Sequence, residues 1–307
     1  MSNNLFSPLI NALADIPYSL NRILYKLPNY VSYELPTKQY RIGDISIPIG
    51  KTKTNTIYLN IGQSNVHTLI CGTTGTGKSN LIHSIVCSIT QLYPTADLIL
   101  YDWKAVELSI YKNMNNVKDY QYNSDNISNS LEQLYQSILF EYEQMLSNNK
   151  RCVSAYDKRT IVILEEISLC NRKIDIPILE RMMSISRACG YHFILTSQRI
   201  DSNTVLSPII RNLLDNVITF KLDTNTSKLI LNNDSASLID IVGRGIYKAQ
   251  DKDMMFQSYH IKQDTIDTVI NNNLKTENIN KKEEINNTDV KTDATIKDID
   301  YKWIDEL

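Results

Sequence analysis

Short apolar runs alternate with longer amphipathic stretches along most of this chain. Strands are favoured in five runs that are rich in β-branched residues, namely "TLICG", "DLILYD", "TIVILEE", "HFILTSQ" and "NVITFKL". Apolar residues at helical spacing predict helices at about 79–92, 127–147 and 175–189. Strands that alternate with helices predict an α/β fold with a mainly parallel sheet and helices on both faces.

Two flanking segments break this alternation and leave one predicted ordered domain, residues 44–271. Residues 1–43 contain four prolines that interrupt any long helix, so we expect a partly helical segment that could make an oligomer contact. Residues 272–307 are rich in Asn, Lys, Glu, Asp and Thr, which predicts a disordered tail. The tail ends in the apolar stretch "IDYKWIDEL", which is either a recognition segment for a protein partner or fortuitous composition.

Composition narrows the class of protein. The 307 residues include 42% hydrophobic residues and carry a net charge of −2, so any nucleic-acid contact must come from a local patch or a pore. No apolar run approaches the ~20 residues that span a bilayer, and the amino terminus lacks the features of a signal peptide. The scattered cysteines and histidines show no metal-ligand spacing, which predicts a reducing, cytoplasmic location and structural histidines.

The stretch "GTTGTGKS" matches the phosphate-binding pattern G-x-x-x-x-G-K-[ST] without substitution, between a predicted strand and a predicted helix. Backbone N–H groups of such a loop surround phosphate oxygens, and the helix dipole favours negative charge there. Lys78 is expected to reach the β- and γ-phosphates of ATP, and Ser79 is expected to ligate Mg²⁺. The residues predicted to bind the nucleotide are Gly72, Thr73, Thr74, Gly75, Thr76, Gly77, Lys78, Ser79 and Asn80.

Polar side chains at the ends of two later strands supply candidates for the hydrolytic chemistry. "TIVILEEIS" ends in Glu165, which could orient Mg²⁺, and Glu166, which could act as the base for attacking water. "HFILTSQR" ends in Gln198, whose amide could sense the γ-phosphate or position water. An aspartate is usual at the position of Glu165, and glutamate is one methylene longer.

Further motifs follow the P-loop in a specific order. "YDWKAVELSIY" matches Asp-x-Lys-x-x-Glu-Leu-x-x-Tyr. "SRACGYHFILTSQRI" resembles Ala-Arg-Ala-x-Gly-x-His-x-x-x-x-Thr-Gln-Arg-Pro, and "LIDIVGRGIYKAQDKDMMFQSYHIKQDTIDTVI" resembles a closing hairpin and helix. In this order they resemble the motor domain of the FtsK/SpoIIIE family of DNA translocases. That family belongs to the FtsK–HerA group of RecA-like P-loop NTPases. The resemblance covers about residues 44–270.

The resemblance implies a homohexamer around double-stranded DNA in which each ATP site is completed by a neighbouring subunit. Arg187 then occupies the position of an arginine that reaches the neighbour's nucleotide; the alternative is a solvated arginine at a helix end. Asp102, Lys104 and Glu107 form either a salt-bridge network or part of the coupling between ATP and movement.

Four residues depart from the family pattern, and the resemblance does not determine which residues contact DNA. Coupling efficiency is in doubt at these four positions, because the usual residues are replaced by Glu165, Ile200, Thr224 and Lys228. A basic loop could touch DNA phosphates or merely be solvated. Its members are Lys150, Arg151, Lys158 and Arg159.

The leading sequence-based hypothesis is an ATPase that moves double-stranded DNA through a homohexameric ring. Because the matched stretch carries no membrane spans and no winged-helix domain, we expect a motor for DNA transfer, partition or packaging in a plasmid, mobile element or virus. Two alternatives stay open: an ATPase that moves protein during secretion, and a regulatory P-loop protein that does not act as a motor.

Overall fold

The computed structural model describes residues 27–34, 44–62, 66–150, 152, 158–200, 206–249 and 252–275. The strands are β1 Ile45–Lys51, β2 Thr56–Ile61, β3 His67–Cys71, β4 Asp97–Asp102, β5 Val117–Gln121, β6 Thr160–Glu165, β7 Tyr191–Ser197, β8 Leu214–Thr219, β9 Arg244–Ala249 and β10 Lys252–Ser258. The α-helices are α1 Lys78–Leu92, α2 Ser124–Ser147, α3 Asp175–Cys189, α4 Pro208–Leu213, α5 Thr224–Leu231 and α6 Gln263–Asn272. The features predicted for residues 1–26, 35–43 and 276–307 lie outside the described residues.

All ten strands join one sheet in the order β2-β1-β10-β9-β8-β3-β7-β6-β4-β5. The six strands from β8 to β5 pair in parallel, which confirms the predicted mainly parallel sheet. The other four strands pair antiparallel and extend the sheet beyond β8. Because the carboxyl ends of parallel strands meet at one edge, the loops that follow β3, β4, β6 and β7 lie together there.

Both faces of the parallel sheet are buried, as its uniformly apolar strands predicted. Along β6, Ile161 and Ile163 belong to one apolar cluster and Val162 and Leu164 to another, because successive side chains point to opposite faces. Helices α1 and α6 pack into the first cluster, and α2, α3, α4 and α5 into the second. Across the described residues, no helix is both long enough and apolar enough to cross a membrane.

Two histidines lie in the centre of the sheet and support its packing. His67 on β3 accepts a hydrogen bond from the Phe193 N–H through Nδ1 (3.1 Å) and donates one to the Met183 carbonyl through Nε2 (3.1 Å). His192 on β7 contacts the Val66 carbonyl through Nδ1 at 3.2 Å. Burial lowers the pKa of His67 to about 4 and that of His192 to about 3, so both rings are neutral at pH 7.

We expect the free energy of unfolding to fall as the pH drops from about 6.5 towards 4, because only the unfolded chain protonates these two rings in that interval. Above that interval both states hold neutral rings and the effect vanishes. At pH 5 the two rings together should lower the free energy of unfolding by about 4 kcal/mol. Urea denaturation at pH 7 and pH 5 measures this loss. His192→Asn, whose amide can still donate to Val66, should show a clearly smaller loss; an equal loss would contradict the assignment.

Candidate nucleotide-binding site

The P-loop connects β3 to α1 and has the backbone conformation that its glycines permit. Gly75 (φ 77°) and Gly77 (φ 115°) adopt positive φ values that side chains disfavour. A Cβ on Gly72 would stand 2.7 Å from Thr76 Oγ1 and 2.8 Å from Phe220 Cβ. Helix α1 begins at Lys78 without a side-chain cap, so its first N–H groups are oriented for an anion at the exposed loop.

Lys78 is held by Glu165 rather than extended into the loop. Its Nζ lies 2.7 Å from Glu165 Oε1, and the two side chains are 4% and 1% exposed. Thr196 at the end of β7 donates to the other Glu165 oxygen. Burial raises the pKa of Glu165, and the Lys78 ammonium opposes that shift. Lys78 and Glu165 thus form a buried ion pair beside the P-loop.

Glu166 is a buried, ionised carboxylate held by several donors. Its backbone is left-handed (φ 63°, ψ 56°), which turns the chain sharply after β6. Oε1 accepts from the Gln198 N–H at 3.1 Å and from the Ser168 hydroxyl, and Oε2 lies 2.9 Å from Lys104 Nζ. Burial raises the pKa of Glu166, but the bonds from Ser168, Lys104 and Gln198 outweigh it and hold that pKa below its ordinary value. An ionised carboxylate in this position can accept a proton from water.

The strand order explains how Gln198 reaches the P-loop. β7 lies between β3 and β6, so the carboxylate strand is one strand removed from the P-loop strand. Gln198 follows β7, and its Oε1 accepts a hydrogen bond from Thr74 Oγ1 at 3.1 Å. The sequence placed Gln198 next to the nucleotide crevice but did not predict this order of strands.

The sequence placed Glu107 beside the nucleotide, at the ligand edge of the sheet, but predicted no contact between it and the P-loop. Glu107 lies in the loop after β4 and accepts a 2.7 Å hydrogen bond from Ser79 Oγ. The hydrogen bond and charge of His83, 3.3 Å away, together with the Ser79 bond, outweigh burial and lower the pKa of Glu107 to about 2. The Asp-x-Lys-x-x-Glu motif drew attention to this glutamate, but a motif does not predict which side chain the glutamate contacts.

The donors around Ser79 fit Mg²⁺, a hard cation that prefers oxygen ligands. Ser79 offers a hydroxyl, and Glu107 and Glu165 offer carboxylates on either side of the first turn of α1. In the described part of the chain, no three His, Cys, Asp or Glu residues are grouped to hold a metal by themselves. An ion here would therefore share phosphate oxygens and water, as Mg²⁺ usually does.

The side chain of Asn80 is occupied by the protein itself. Its Nδ2 donates to the Ile261 carbonyl at 3.1 Å, and its Oδ1 accepts from the Ile261 N–H at 3.2 Å. Asn80 thus anchors the segment that leads into α6. Only its backbone is left to serve the predicted nucleotide contact.

Arg187 is exposed in the last turn of α3, just before β7 begins. The amino ends of the parallel strands lie at the edge opposite the P-loop, so Arg187 cannot reach the nucleotide of its own subunit without a large rearrangement. This position suits contact with a neighbour. The role of Arg187 in a neighbouring site stays a prediction.

The predicted DNA-contacting residues divide by exposure. Lys150 and Lys158 are exposed, although Lys158 Nζ lies 2.5 Å from Asp97 Oδ2. Arg159 is only 7% exposed at the start of β6, so its position disfavours the phosphate contact predicted for it. Arg151 lies outside the described residues. A DNA contact stays a prediction for the two exposed lysines.

The three remaining residues that depart from the family pattern lie in the apolar core or in helix α5. Ile200 is 4% exposed in the apolar cluster on the α3 face of the sheet. Thr224 begins α5 behind its cap residue Asp223, and Lys228 is exposed in the last turn of the same helix. None of the three contacts the P-loop or the carboxylates in the hydrogen bonds of the described residues.

The amino-acid sequence is similar to those of known proteins. The model of the FtsK/SpoIIIE family matches residues 35–244. The DNA translocase FtsK of Helicobacter pylori strain J99 is 28% identical over 254 residues, which cover 75% of this chain and 29% of that protein. The DNA translocase FtsK of Lactococcus lactis subsp. lactis is 25% identical over 255 residues, covering 74% and 33%. The chain thus spans about a third of the length of these curated relatives.

Solved structures share the fold at low sequence identity. The pCW3 conjugation coupling protein TcpA, in its monomer form with ATPγS, superposes with a TM-score of 0.67 at 19% identity, covering 80% of this chain and 74% of that one. ATPases 2 and 3 of EssC from Geobacillus thermodenitrificans give a TM-score of 0.66 at 16% identity, covering 80% and 50%. These likenesses confirm the predicted RecA-like P-loop fold. The stretch matched by the family model contains the P-loop, both carboxylates, Gln198 and Arg187.

Proposed function

Because the chain belongs to the FtsK/SpoIIIE family of P-loop ATPases, we propose that it is an ATP-hydrolysing motor that moves double-stranded DNA. The observation that carries the proposal is the convergence of Lys78, Glu165, Glu166 and Gln198 at one edge of the sheet. The curated relatives at 25–28% identity are described as DNA translocases, which favours DNA over protein as the substrate that is moved.

Each of these side chains has its own role in the proposed hydrolysis. Lys78 would leave Glu165 to bind the β- and γ-phosphates, and Ser79, Glu107 and Glu165 are the residues that would hold Mg²⁺. That ion, when bound, neutralises charge on the phosphate oxygens. Glu166 accepts the proton of the attacking water, and Gln198 orients that water against the γ-phosphate.

We further propose that the working form is a homohexameric ring with double-stranded DNA in its centre. The placement of Arg187 at the edge opposite the P-loop supports this, because a nucleotide contacted from there would belong to another subunit. A cation from a neighbour would stabilise charge on the transferring phosphoryl group. The expectation that the DNA belongs to a plasmid, mobile element or virus stays a prediction.

The test is the ATPase rate with and without linear duplex DNA across a range of protein concentrations. We expect duplex DNA to raise kcat at least about tenfold, with a cooperative dependence on concentration, because a ring must assemble before sites are completed. Arg187→Ala should remove most of the stimulation, whereas Arg181→Ala, on an exposed part of the same helix, should not.

Other outcomes of this ATPase assay would contradict the proposed function in whole or in part. Hydrolysis that duplex DNA does not change would contradict the DNA motor and favour a protein substrate. ATP binding without any hydrolysis would favour the regulatory alternative. Stimulation by duplex DNA that survives Arg187→Ala would keep the motor but remove the trans-acting arginine.

A further inference from the structure

The Glu166 carboxylate is almost fully buried, and its oxygens are hydrogen-bonded by neighbouring residues. The residue is 2% exposed, and its Oε1 already accepts bonds from Gln198 and Ser168. Oε2 lies 2.9 Å from Lys104 Nζ, and no other residue in the described ranges hydrogen-bonds that oxygen. The Lys104 side chain is 33% exposed, so one partner of this buried carboxylate is itself in contact with solvent. The Lys104 ammonium thus fills the hydrogen-bonding position on Oε2 that an attacking water would need.

Lys104 differs from the other partners of Glu166 in what it is attached to. Gln198 directly follows β7, and Ser168 lies in the 3-10 turn of residues 167–169 just after β6, so both stay close to strand ends. Lys104 lies in the loop between β4 and β5, whose apex contains Ala105 (φ 56°) and the 65% exposed Val106. It is the partner that can leave without disturbing a strand.

The same loop contacts the metal-binding side of the nucleotide site. Asp102, fully buried at the end of β4, fixes the base of the loop by accepting from the N–H groups of Lys104 (3.1 Å) and Leu108 (2.9 Å). Between those two residues, Glu107 accepts the 2.7 Å hydrogen bond from Ser79. Glu107 thus connects Ser79 to the segment that carries Lys104.

We propose that Lys104 is a positioning residue that keeps Glu166 from accepting a proton until the loop of residues 103–107 moves. The inference rests on the proposed function, in which Glu166 is the base. The ion pair is a restraint, since Gln198 and Ser168 orient the carboxylate without it. Nucleotide at Ser79 and the restraint on Glu166 are coupled because one short loop touches both.

The test compares Lys104→Met, which keeps the length of the side chain but loses its charge, with Lys104→Arg, which keeps the charge. Without DNA, Lys104→Met should raise kcat about 2- to 5-fold, the range for loss of one partly exposed ion pair. Binding of a fluorescent ATP analogue should stay within about twofold of wild type, because Lys104 touches no predicted phosphate-binding group. Lys104→Arg should behave as wild type.

Two controls isolate the effect. Lys112→Met removes an exposed lysine just beyond the same loop and should change neither rate nor affinity. Adding Glu166→Gln to Lys104→Met should abolish the gain, because the gain must pass through the carboxylate.

A fall in kcat in Lys104→Met that Lys104→Arg restores would overturn the proposal, since the lysine would then be required for turnover. An unchanged kcat would also overturn it. If Glu166→Gln alone hydrolysed ATP at the wild-type rate, the assignment of the base would fail together with the restraint. An inactive Glu166→Gln with no acceleration in Lys104→Met would overturn only the restraint.

Discussion

Replacing Lys78 with alanine is expected to lower the ATPase rate at least about 100-fold and to weaken ATP binding, because the variant loses its cation at the β- and γ-phosphates. The measurement is a steady-state ATPase assay combined with titration of a fluorescent ATP analogue. Lys112→Ala, at an exposed position away from the P-loop, should match the wild type. Turnover within about threefold of wild type would contradict the role assigned to the P-loop lysine.

The same substitution should also destabilise the nucleotide-free protein, because Glu165 is left buried without its cation. Breaking a buried pair costs roughly 3–5 kcal/mol, and Lys78→Ala should cost less, since burial favours protonation of Glu165. Adding Glu165→Gln should recover the melting temperature but not the hydrolysis. This double variant therefore separates a folding defect from a catalytic one.

Glu166→Gln is expected to lower kcat about 10²- to 10⁴-fold, the usual contribution of a general base, while ATP still binds. Glutamine has nearly the same shape, so the bonds from Gln198 and Ser168 can persist while the ability to take a proton is lost. Single-turnover hydrolysis and a binding titration measure the two quantities separately. Glu143→Gln, on the exposed face of α2, is the matched control. Wild-type hydrolysis in Glu166→Gln would show that another group activates water.

Much of the central fold could be predicted, because its signals are long and periodic. The helices predicted at about 79–92, 127–147 and 175–189 correspond to α1, α2 and α3, with α2 beginning three residues earlier at Ser124. That start follows the cap residue Asn123, whose side chain accepts the Asn126 N–H. The parallel sheet followed from the uniformly apolar strands.

Short elements escaped the same reasoning. Helices α4 and α5 have six and eight residues, too few for apolar periodicity to stand out. β5 reads "VKDYQ", and only its first residue is buried, because it lies at the edge of the sheet. Its pairing with β4 supplies the stability that its own composition does not indicate.

At the candidate site, motifs predicted which residues converge but not how they pair. The P-loop and the strand-end carboxylates each had a local signal. The contacts of Lys78 with Glu165, Lys104 with Glu166 and Ser79 with Glu107 join residues 87, 62 and 28 positions apart. Such pairs depend on the strand order, and no single stretch of the sequence encodes that order.

Under the proposed mechanism, the Glu165 carboxylate and the phosphates of ATP compete for the same partner, the Lys78 ammonium. ATP binds the form in which the lysine is free, so the observed affinity equals the intrinsic affinity multiplied by the fraction of molecules in that form. If one molecule in ten were free, ATP would bind about tenfold more weakly than the loop itself allows. Under the proposed mechanism, the Lys78–Glu165 pair would therefore set an affinity threshold for ATP.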